Sequence, residues 1–196
     1  MSLSLFRHLS PKTAIIAGGL MLAAGLAAPP LAAVEKTVMV GGAPMYPSKN
    51  IIENAVNSKD NTTLVAAVKA AGLVDTLEGP GPFTVFAPTN TAFGKLPPGT
   101  VENLIKPENK TMLTGILTYH VVPGRMTAGA LMKAVKQAGG MAKLKTVAGG
   151  ELTVKQAGPG QLEIAYAKGD IATITTADVL QSNGVIHVID TVLLPM

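Results

Sequence analysis

Cysteine and tryptophan are absent from this sequence of 196 residues, and aromatic residues of every kind make up only 4% of it. Without cysteine the chain has no disulfide, no thiol nucleophile and no cysteine-ligated zinc. Because aromatic residues are so few, the core has to be built from aliphatic side chains, which agrees with an apolar content of 47%. The length corresponds to one domain with a short additional segment.

Charged residues are scarce as well, at 14% of the sequence, and the formal net charge is +4. No basic run alternates with aromatic residues, so we expect no nucleic-acid partner. Four lysines do concentrate in one region, and we interpret them as part of a solvated face: Lys133, Lys136, Lys143 and Lys145.

The N-terminal segment has the pattern of a secretory signal peptide. Arg7 and Lys12 precede an uncharged apolar stretch over residues 14–28, and small residues follow it. A transmembrane anchor is the alternative, but glycines and prolines shorten this stretch below the roughly 20 apolar residues that a span needs. We predict a signal peptide over 1–33, export to the periplasm or the medium, and no stable membrane insertion after cleavage.

Apolar spacing divides the rest of the sequence into segments. Residues 34–47 show no period and contain several glycines and prolines, so they are predicted to form an irregular lead-in. The folded domain is expected to begin at Ser48, which is placed to cap a first helix. The next helix is expected to end at Gly72, because glycine is the residue that most often terminates helices.

Beyond residue 140 the apolar period changes to two. Leu152 and Val154 alternate with polar neighbours, which predicts half-exposed antiparallel strands joined by glycine-containing turns. The final segment, 185–194, is apolar on both faces, so a strand that is central or well covered is expected there. Helices that come first and hairpins that come last indicate an α+β domain over 48–196.

Three short segments carry a resemblance to a known family. They are residues 83–93 (FTVFAPTNTAF), 118–124 (TYHVVPG) and 183–190 (NGVIHVID). In their order and spacing they resemble the signatures of the fasciclin domain, also called the FAS1 domain, and the resemblance extends over nearly all of 48–196. It implies a single fasciclin-like domain of packed β-sheets flanked by several helices. It also implies a role in adhesion, with a protein or glycan at the cell surface or envelope as partner.

The residues that carry the first and third signatures are expected to be structural: Phe83, Phe86, Pro88, Thr89, Asn90, Phe93, His187 and Asp190. Asn90 departs from the family, which more often has an acidic residue there, although either type can cap a helix. Tyr119 and His120 carry the central signature, which the family links to recognition of cell-surface partners. Because they lie between an amphipathic helix and an apolar strand, we favour a buried, hydrogen-bonded pair over a binding role.

The sequence shows no constellation of catalytic or metal-binding residues. His187 and Asp190 are three residues apart on a predicted strand, so their side chains point to opposite faces and form no direct dyad. No serine lies in a nucleophile-elbow pattern, and neither histidine spacing nor glycine spacing matches a metal or phosphate motif. We therefore predict a protein that is not an enzyme, with no catalytic residue, metal or cofactor.

Three functional hypotheses remain. The favoured one is an exported, non-enzymatic binding or adhesion module. The second is a carrier of a small apolar ligand, carotenoid-like or lipid-like, because a few fasciclin-like proteins bind such pigments. The methionines that are candidates to line an apolar groove in that case are Met112, Met126, Met132 and Met141. The third is a self-associating structural protein of a matrix or biofilm.

Overall fold

The computed structural model describes residues 37–166 and 169–195. The signal peptide predicted for 1–33 lies outside these residues. Within them, no helix combines the length and the apolar character that crossing a membrane requires.

Strands of the described residues form a two-stranded hairpin and a seven-stranded sheet. The strands are β1 (Val38–Val40), β2 (Ala43–Met45), β3 (Phe83–Pro88), β4 (Val121–Pro123), β5 (Met141–Lys145), β6 (Glu151–Gly158), β7 (Gln161–Ala165), β8 (Ile171–Gln181) and β9 (Gly184–Ile189). The large sheet has the order β4-β3-β9-β8-β7-β6-β5. Its neighbouring strands are antiparallel except β3 and β9, which are parallel.

Short helices connect and cover these strands. They are α1 (Ile51–Ala55), α2 (Thr62–Ala71), α3 (Val74–Glu78), α4 (Asn90–Gly94), α5 (Thr100–Leu104), α6 (Lys110–Tyr119) and α7 (Ala128–Gln137). Turns of 3-10 helix at Lys59–Asn61 and Pro107–Asn109 precede α2 and α6. Helices thus precede the run of hairpins from β5 to β9, and the predicted α+β class is confirmed.

Strand β9 is central, and each of its residues is buried because both faces of the sheet are covered there. Ile186 and Val188 face a first core, which helices α1 to α6 build against β3 and β9. Ile189 faces a second core, which α7 builds against the inner faces of β5 to β8. The predicted central strand is therefore confirmed, although it ends at Ile189, and Val192 and Leu193 continue into the cores without strand pairing.

Strand β8 belongs to both halves of the sheet. Its first residues pair with β7 and its later residues pair with β9, with register shifts on either side of Thr176. Asp178 lies beyond this point with a φ of 58°, in the left-handed region that few residues other than glycine adopt. The irregularity lets one strand bend from the second core to the first.

The irregular lead-in predicted for 34–47 is wrong over residues 38–45. Strands β1 and β2 form a hairpin there, and Val40 and Met45 are buried in the first core. Gly41 and Gly42 make its turn with φ values of 58° and 77°. Two central residues with positive φ match the tight hairpin turn that glycine pairs favour, so the glycines indicate a turn rather than a loss of structure.

Two helix caps differ from the prediction. Asn50, not Ser48, caps α1: its Oδ1 accepts from the N–H of Glu53 at 2.8 Å, and the Glu53 carboxylate accepts from the N–H of Asn50 at 2.7 Å. This reciprocal pair is a capping box. Thr89, not Asn90, caps α4, because its Oγ1 accepts from the N–H of Ala92 at 3.2 Å.

Candidate functional site

His120 follows α6 directly and is buried. Its Nδ1 donates to the carbonyl of Ile116 at 2.8 Å, and its Nε2 accepts from the N–H of Leu193 at 2.9 Å. Because the Leu193 N–H can only donate, Nε2 carries no proton and the ring is neutral. Burial lowers the pKa of His120 to about 4, against a smaller opposing effect of the Ile116 carbonyl. The side chain therefore ties α6 to the C-terminal segment.

Tyr119 is the last residue of α6 and is buried in the second core. Its hydroxyl donates to the carbonyl of Glu151 at 2.9 Å. A Cβ added at Gly150 would lie 2.6 Å from Cε2 of this ring, so the ring packs directly on the backbone at the start of β6. Tyr119 and His120 thus contact different parts of the interior and present no joint surface.

His187 is fully buried on β9, where its ring stacks on that of Phe86 with centroids 5.7 Å apart. Its Nε2 donates to the carbonyl of Met126 at 2.8 Å, and its Nδ1 accepts from the N–H of Asp178 at 3.4 Å. Burial lowers the pKa of His187, while the Met126 carbonyl and the Asp178 carboxylate act in the opposite direction. Both ring nitrogens are committed to the backbone.

Asp190 lies immediately after β9 and does not contact His187. Its Oδ1 accepts from the N–H of Thr173 at 2.8 Å and from the hydroxyl of Thr191 at 3.0 Å, and Lys95 lies 3.3 Å from its Oδ2. Burial raises the pKa of Asp190, but these donors outweigh burial and the pKa is lowered overall. The arrangement anchors the end of a strand and forms no catalytic dyad.

Apolar residues of the first signature lie in the interior. Phe86 and Phe93 are buried, and Phe83 is half-buried against the first core. Pro88 closes β3, and its carbonyl accepts from Nδ2 of Asn61 at 3.0 Å. This signature therefore joins β3 to the segment that precedes α2.

Asn90 makes contacts across the chain instead of capping its own helix. Its Oδ1 accepts from the N–H of Thr63 at 3.0 Å, and its Nδ2 donates to the carbonyl of Lys59 at 2.8 Å. It therefore caps the beginning of α2 from a distance, so an amide, which can both accept and donate, suits the position.

Sequence reasoning missed a group of buried amides. Asn54 exchanges two hydrogen bonds with the backbone of Tyr46, at 3.0 and 2.8 Å, and its Nδ2 also donates to Oε1 of Gln181. Asn54 and Gln181 are buried, and a buried amide without partners would be strongly destabilising. The only available signal was their polarity inside otherwise apolar segments.

Asn183, the first residue of the third signature, joins three elements. Its Oδ1 accepts from the N–H of Ile51 at 3.1 Å, and its Nδ2 donates to the carbonyls of Leu77 and Gly79 at 2.7 and 3.0 Å. Across the described residues, each buried side-chain nitrogen or oxygen has a hydrogen-bond partner. The polar residues of the signatures thus make hydrogen bonds to other parts of the same chain.

Neither a metal nor a large internal ligand fits the described interior. No group of three acidic or histidine side chains there is arranged to hold a metal ion. A cavity of about 40 Å³ lies in the first core beside Met45, His120 and Ile186. Small-ligand pockets have volumes of roughly 300 to 1,000 Å³, so this cavity is far too small for a carotenoid or a lipid.

The four candidate methionines do not gather around one groove. Met112 and Met141 are exposed, at 60% and 61% of their surface, whereas Met126 and Met132 pack against the second core. None of the four lines the internal cavity. The apolar groove expected for a carrier is therefore not formed by these residues.

An open groove of about 700 Å³ lies on the outer face of β5, β6 and β7. Tyr119, Met141 and Tyr166 line it, together with Lys143 and Glu151, whose ion pair measures 3.1 Å. Ala165 lines it from β7. Its size falls in the range of ligand and partner sites, and its lining mixes apolar, aromatic and charged groups. The groove is open along the outer face of the sheet, so a partner can reach it.

The four clustered lysines are divided between two surfaces. Lys133 and Lys136 lie on the exposed side of α7, whose opposite side packs on the inner face of the sheet. Lys143 and Lys145 lie on β5, on the outer face of the sheet, which is the face opposite α7. They form no single basic patch, which agrees with a solvated role for each pair.

The comparisons with known proteins agree with this fold. The family model described as the Fasciclin domain matches residues 59–195. A relative from Synechocystis sp., named Protein sll1483, is 47% identical over 162 residues, which cover 82% of each chain. The cell surface glycolipoprotein MPB83 of Mycobacterium bovis is 47% identical over 76 residues, or 36% of this chain and 33% of that protein.

A solved structure is similar in fold. The FAS1 domain pair from the insect cell adhesion molecule Fasciclin I superposes with a TM-score of 0.68 at 22% sequence identity. The match covers 76% of this chain and 52% of that chain, so this chain spans about half of the domain pair. At this identity the similarity concerns the fold alone.

Proposed function

This chain belongs to the fasciclin domain family, and on that premise we propose that it is an exported, non-enzymatic binding module that acts at or outside the cell envelope. The observation that carries the proposal is the open groove on the outer face of β5, β6 and β7. The name of one relative, a cell surface glycolipoprotein, points in the same direction.

The hydrogen bonds made by the titratable residues of the signatures support a role without catalysis. His120 and His187 each use both ring nitrogens on backbone groups, and Asp190 is held by three donors. A general acid or base needs a polar atom within reach of a substrate. We propose that these residues serve the architecture and that the partner binds on the surface, in the groove that Tyr119 also lines.

A carrier of a small apolar ligand is less well supported. The internal cavity is about 40 Å³, and the candidate methionines are dispersed. An absorbance spectrum of the purified chain tests this alternative directly. A visible chromophore that copurifies in stoichiometric amount would favour the carrier over the binding module.

The binding module predicts a saturable partner in the envelope or secreted fraction of the producing organism. The experiment immobilises the chain, captures partners from these fractions and identifies them by mass spectrometry. Ala165→Arg places a long side chain in the groove and is expected to abolish capture, because Ala165 lines it. Ala70→Arg, on the exposed side of α2, is the matched control and is expected to retain capture.

Two results would contradict the proposal. One is capture that is equal for Ala165→Arg and the control, which would remove the groove from the binding site. The other is an intact mass that still includes residues 1–33 in the form that the cells accumulate, which would contradict export by a cleaved signal peptide.

A further inference from the structure

Strand β5 is an outer strand of the large sheet. It pairs with β6 and with no other strand of the described residues, and it is the last strand in the sheet order. Its residues alternate between exposed and buried, with Ala142 and Leu144 facing the second core. An outer strand has one row of backbone N–H and C=O groups that its neighbour in the sheet does not use.

The hairpin turn fixes which backbone groups point toward β6. The N–H of Thr146 donates to the carbonyl of Gly150 at 2.8 Å, so these two residues form a hydrogen-bonded pair at the end of the β5–β6 ladder. In an antiparallel ladder such pairs alternate with non-hydrogen-bonded pairs. The backbone groups of Ala142 and Leu144 therefore point toward β6.

Lys143 and Lys145 then direct their backbone N–H and C=O groups toward the free edge. Val147 lies two positions after Lys145, so its N–H is also expected to point away from β6. It does, and it donates to the carbonyl of Val121 at 2.8 Å. Strand β4 therefore approaches the edge at the turn and at the adjoining end of β5. Along β5, the backbone groups that point away from β6, with which no strand of the described residues pairs, and the exposed ammonium groups thus come from the same two lysines.

We propose that this edge binds an extended acidic segment of another protein, which adds to the sheet as an eighth strand antiparallel to β5. Acidic residues at alternate positions of that segment would lie directly opposite Lys143 and Lys145 on the outer face. The inference rests on the proposed function, and it adds to the groove, which Lys143 also lines, a neighbouring contact surface and a partner chemistry.

Charge decides in favour of an acidic segment over a second copy of this chain. Two β5 strands paired with each other would place lysine opposite lysine, and like charges directly opposite are destabilising. Lysines on an edge strand are a known protection against such pairing. The same two charges attract a strand that carries carboxylates. Glu151 pairs with Lys143 from the β6 side, which leaves the other side of Lys143 to a partner.

The first test uses nuclear magnetic resonance on the purified chain, in the form that the producing cells accumulate. The probe is a terminally blocked peptide, Thr-Thr-Glu-Thr-Glu-Thr-Thr, and its control has the same composition with adjacent glutamates, Thr-Thr-Thr-Glu-Glu-Thr-Thr. The alternating peptide is expected to slow hydrogen exchange at the amides of Lys143 and Lys145. The amides of Ala142 and Leu144, already bonded to β6, are expected to change little. The control peptide is expected to bind more weakly.

The second test reverses charge at matched positions. K143E/K145E is expected to weaken binding of the alternating peptide at least about fivefold, because two favourable cross-strand pairs become unfavourable. K133E/K136E, on α7, makes the same change in net charge and is expected to leave binding within about twofold, because these lysines lie on another surface. Circular dichroism confirms that both variants fold.

Several results would overturn the edge proposal. They are protection of the Lys143 and Lys145 amides in the free chain, binding that leaves both amides unchanged, equal affinity for the two peptides, and equal loss in the two charge-reversal variants. If an envelope partner is captured as well by K143E/K145E as by the unaltered chain, the binding function stands and the edge proposal alone fails.

Discussion

His120 makes the stability of the fold depend on pH. Its pKa is about 4 in the folded chain and about 6.5 when unfolded, so the unfolded state binds more protons between these values. Stability contributed by the neutral ring is complete above pH 6.5 and is lost as the pH falls toward 4. The expected loss between pH 7 and pH 4 is on the order of 3 kcal/mol in the free energy of unfolding.

Urea denaturation at several values between pH 7 and pH 4.5 checks this prediction. This window avoids the contribution of Asp190, whose lowered pKa makes its stabilisation fall away only below its ordinary pKa near 3.8. His120→Gln is expected to be less stable at pH 7 and to show a smaller slope with pH. His187, whose pKa is also lowered, contributes in the same direction to any slope that remains. A slope in His120→Gln equal to that of the unaltered chain would contradict the assignment.

The position of Tyr119 and His120 between an amphipathic helix and an apolar strand predicted that both are buried. Their hydrogen-bond partners could not be derived from the sequence. The N–H of Leu193, which donates to His120, lies 73 positions away along the chain. Asn183 and Leu77 are separated by 106 positions. Such contacts depend on the completed topology, so a polar residue in an apolar segment indicates that partners exist without identifying them.

At the scale of elements, Asp178 holds the bend of β8 against α7. Its Oδ1 accepts from the N–H of Ala128 in the first turn of α7 at 2.6 Å, and its backbone has a φ of 58°. Asp178→Ala removes the acceptor at the helix N-terminus and leaves a methyl-bearing residue in the left-handed region. We expect a loss of about 1 to 3 kcal/mol in the free energy of unfolding, measured by urea denaturation at pH 7.

Asp178→Asn is the matched control for that loss. Asparagine tolerates a positive φ and keeps an acceptor oxygen, so we expect it to retain most of the stability. If Asp178→Ala were as stable as Asp178→Asn, neither the cap nor the backbone conformation would be important for this bend.

Element boundaries were predictable where the signal was local. Gly72 ends α2 in the left-handed conformation, as its residue type indicated. The cap of α4 was misplaced because Thr89 and Asn90 are both good capping residues, and the choice depends on a distant partner of Asn90. The hairpin β1–β2 was missed because its glycine turn joins strands of only three residues, too short to show a period.

At the scale of the whole molecule, the sequence predicted which strand is central but not how the strands are ordered. Strand β9 is apolar on both faces, and this alone placed it inside the sheet. Its parallel pairing with β3 joins segments about 100 positions apart, and no local pattern encodes such a pairing. The same topology leaves β5 at the edge, a position that the alternation of Met141–Lys145 does not distinguish from an interior strand.

The charge of that edge determines whether the molecule associates with itself. Lys143 and Lys145 would face each other in a pair of β5 strands, so we expect a monomer in size-exclusion chromatography with light scattering. K143Q/K145Q removes this repulsion and keeps the free backbone groups, so we expect dimers to appear as the concentration rises. K133Q/K136Q loses the same charge on α7 and is expected to remain monomeric. Self-association of the unaltered chain through β5 would instead favour the matrix-forming alternative, because the lysines would then be failing to protect the edge.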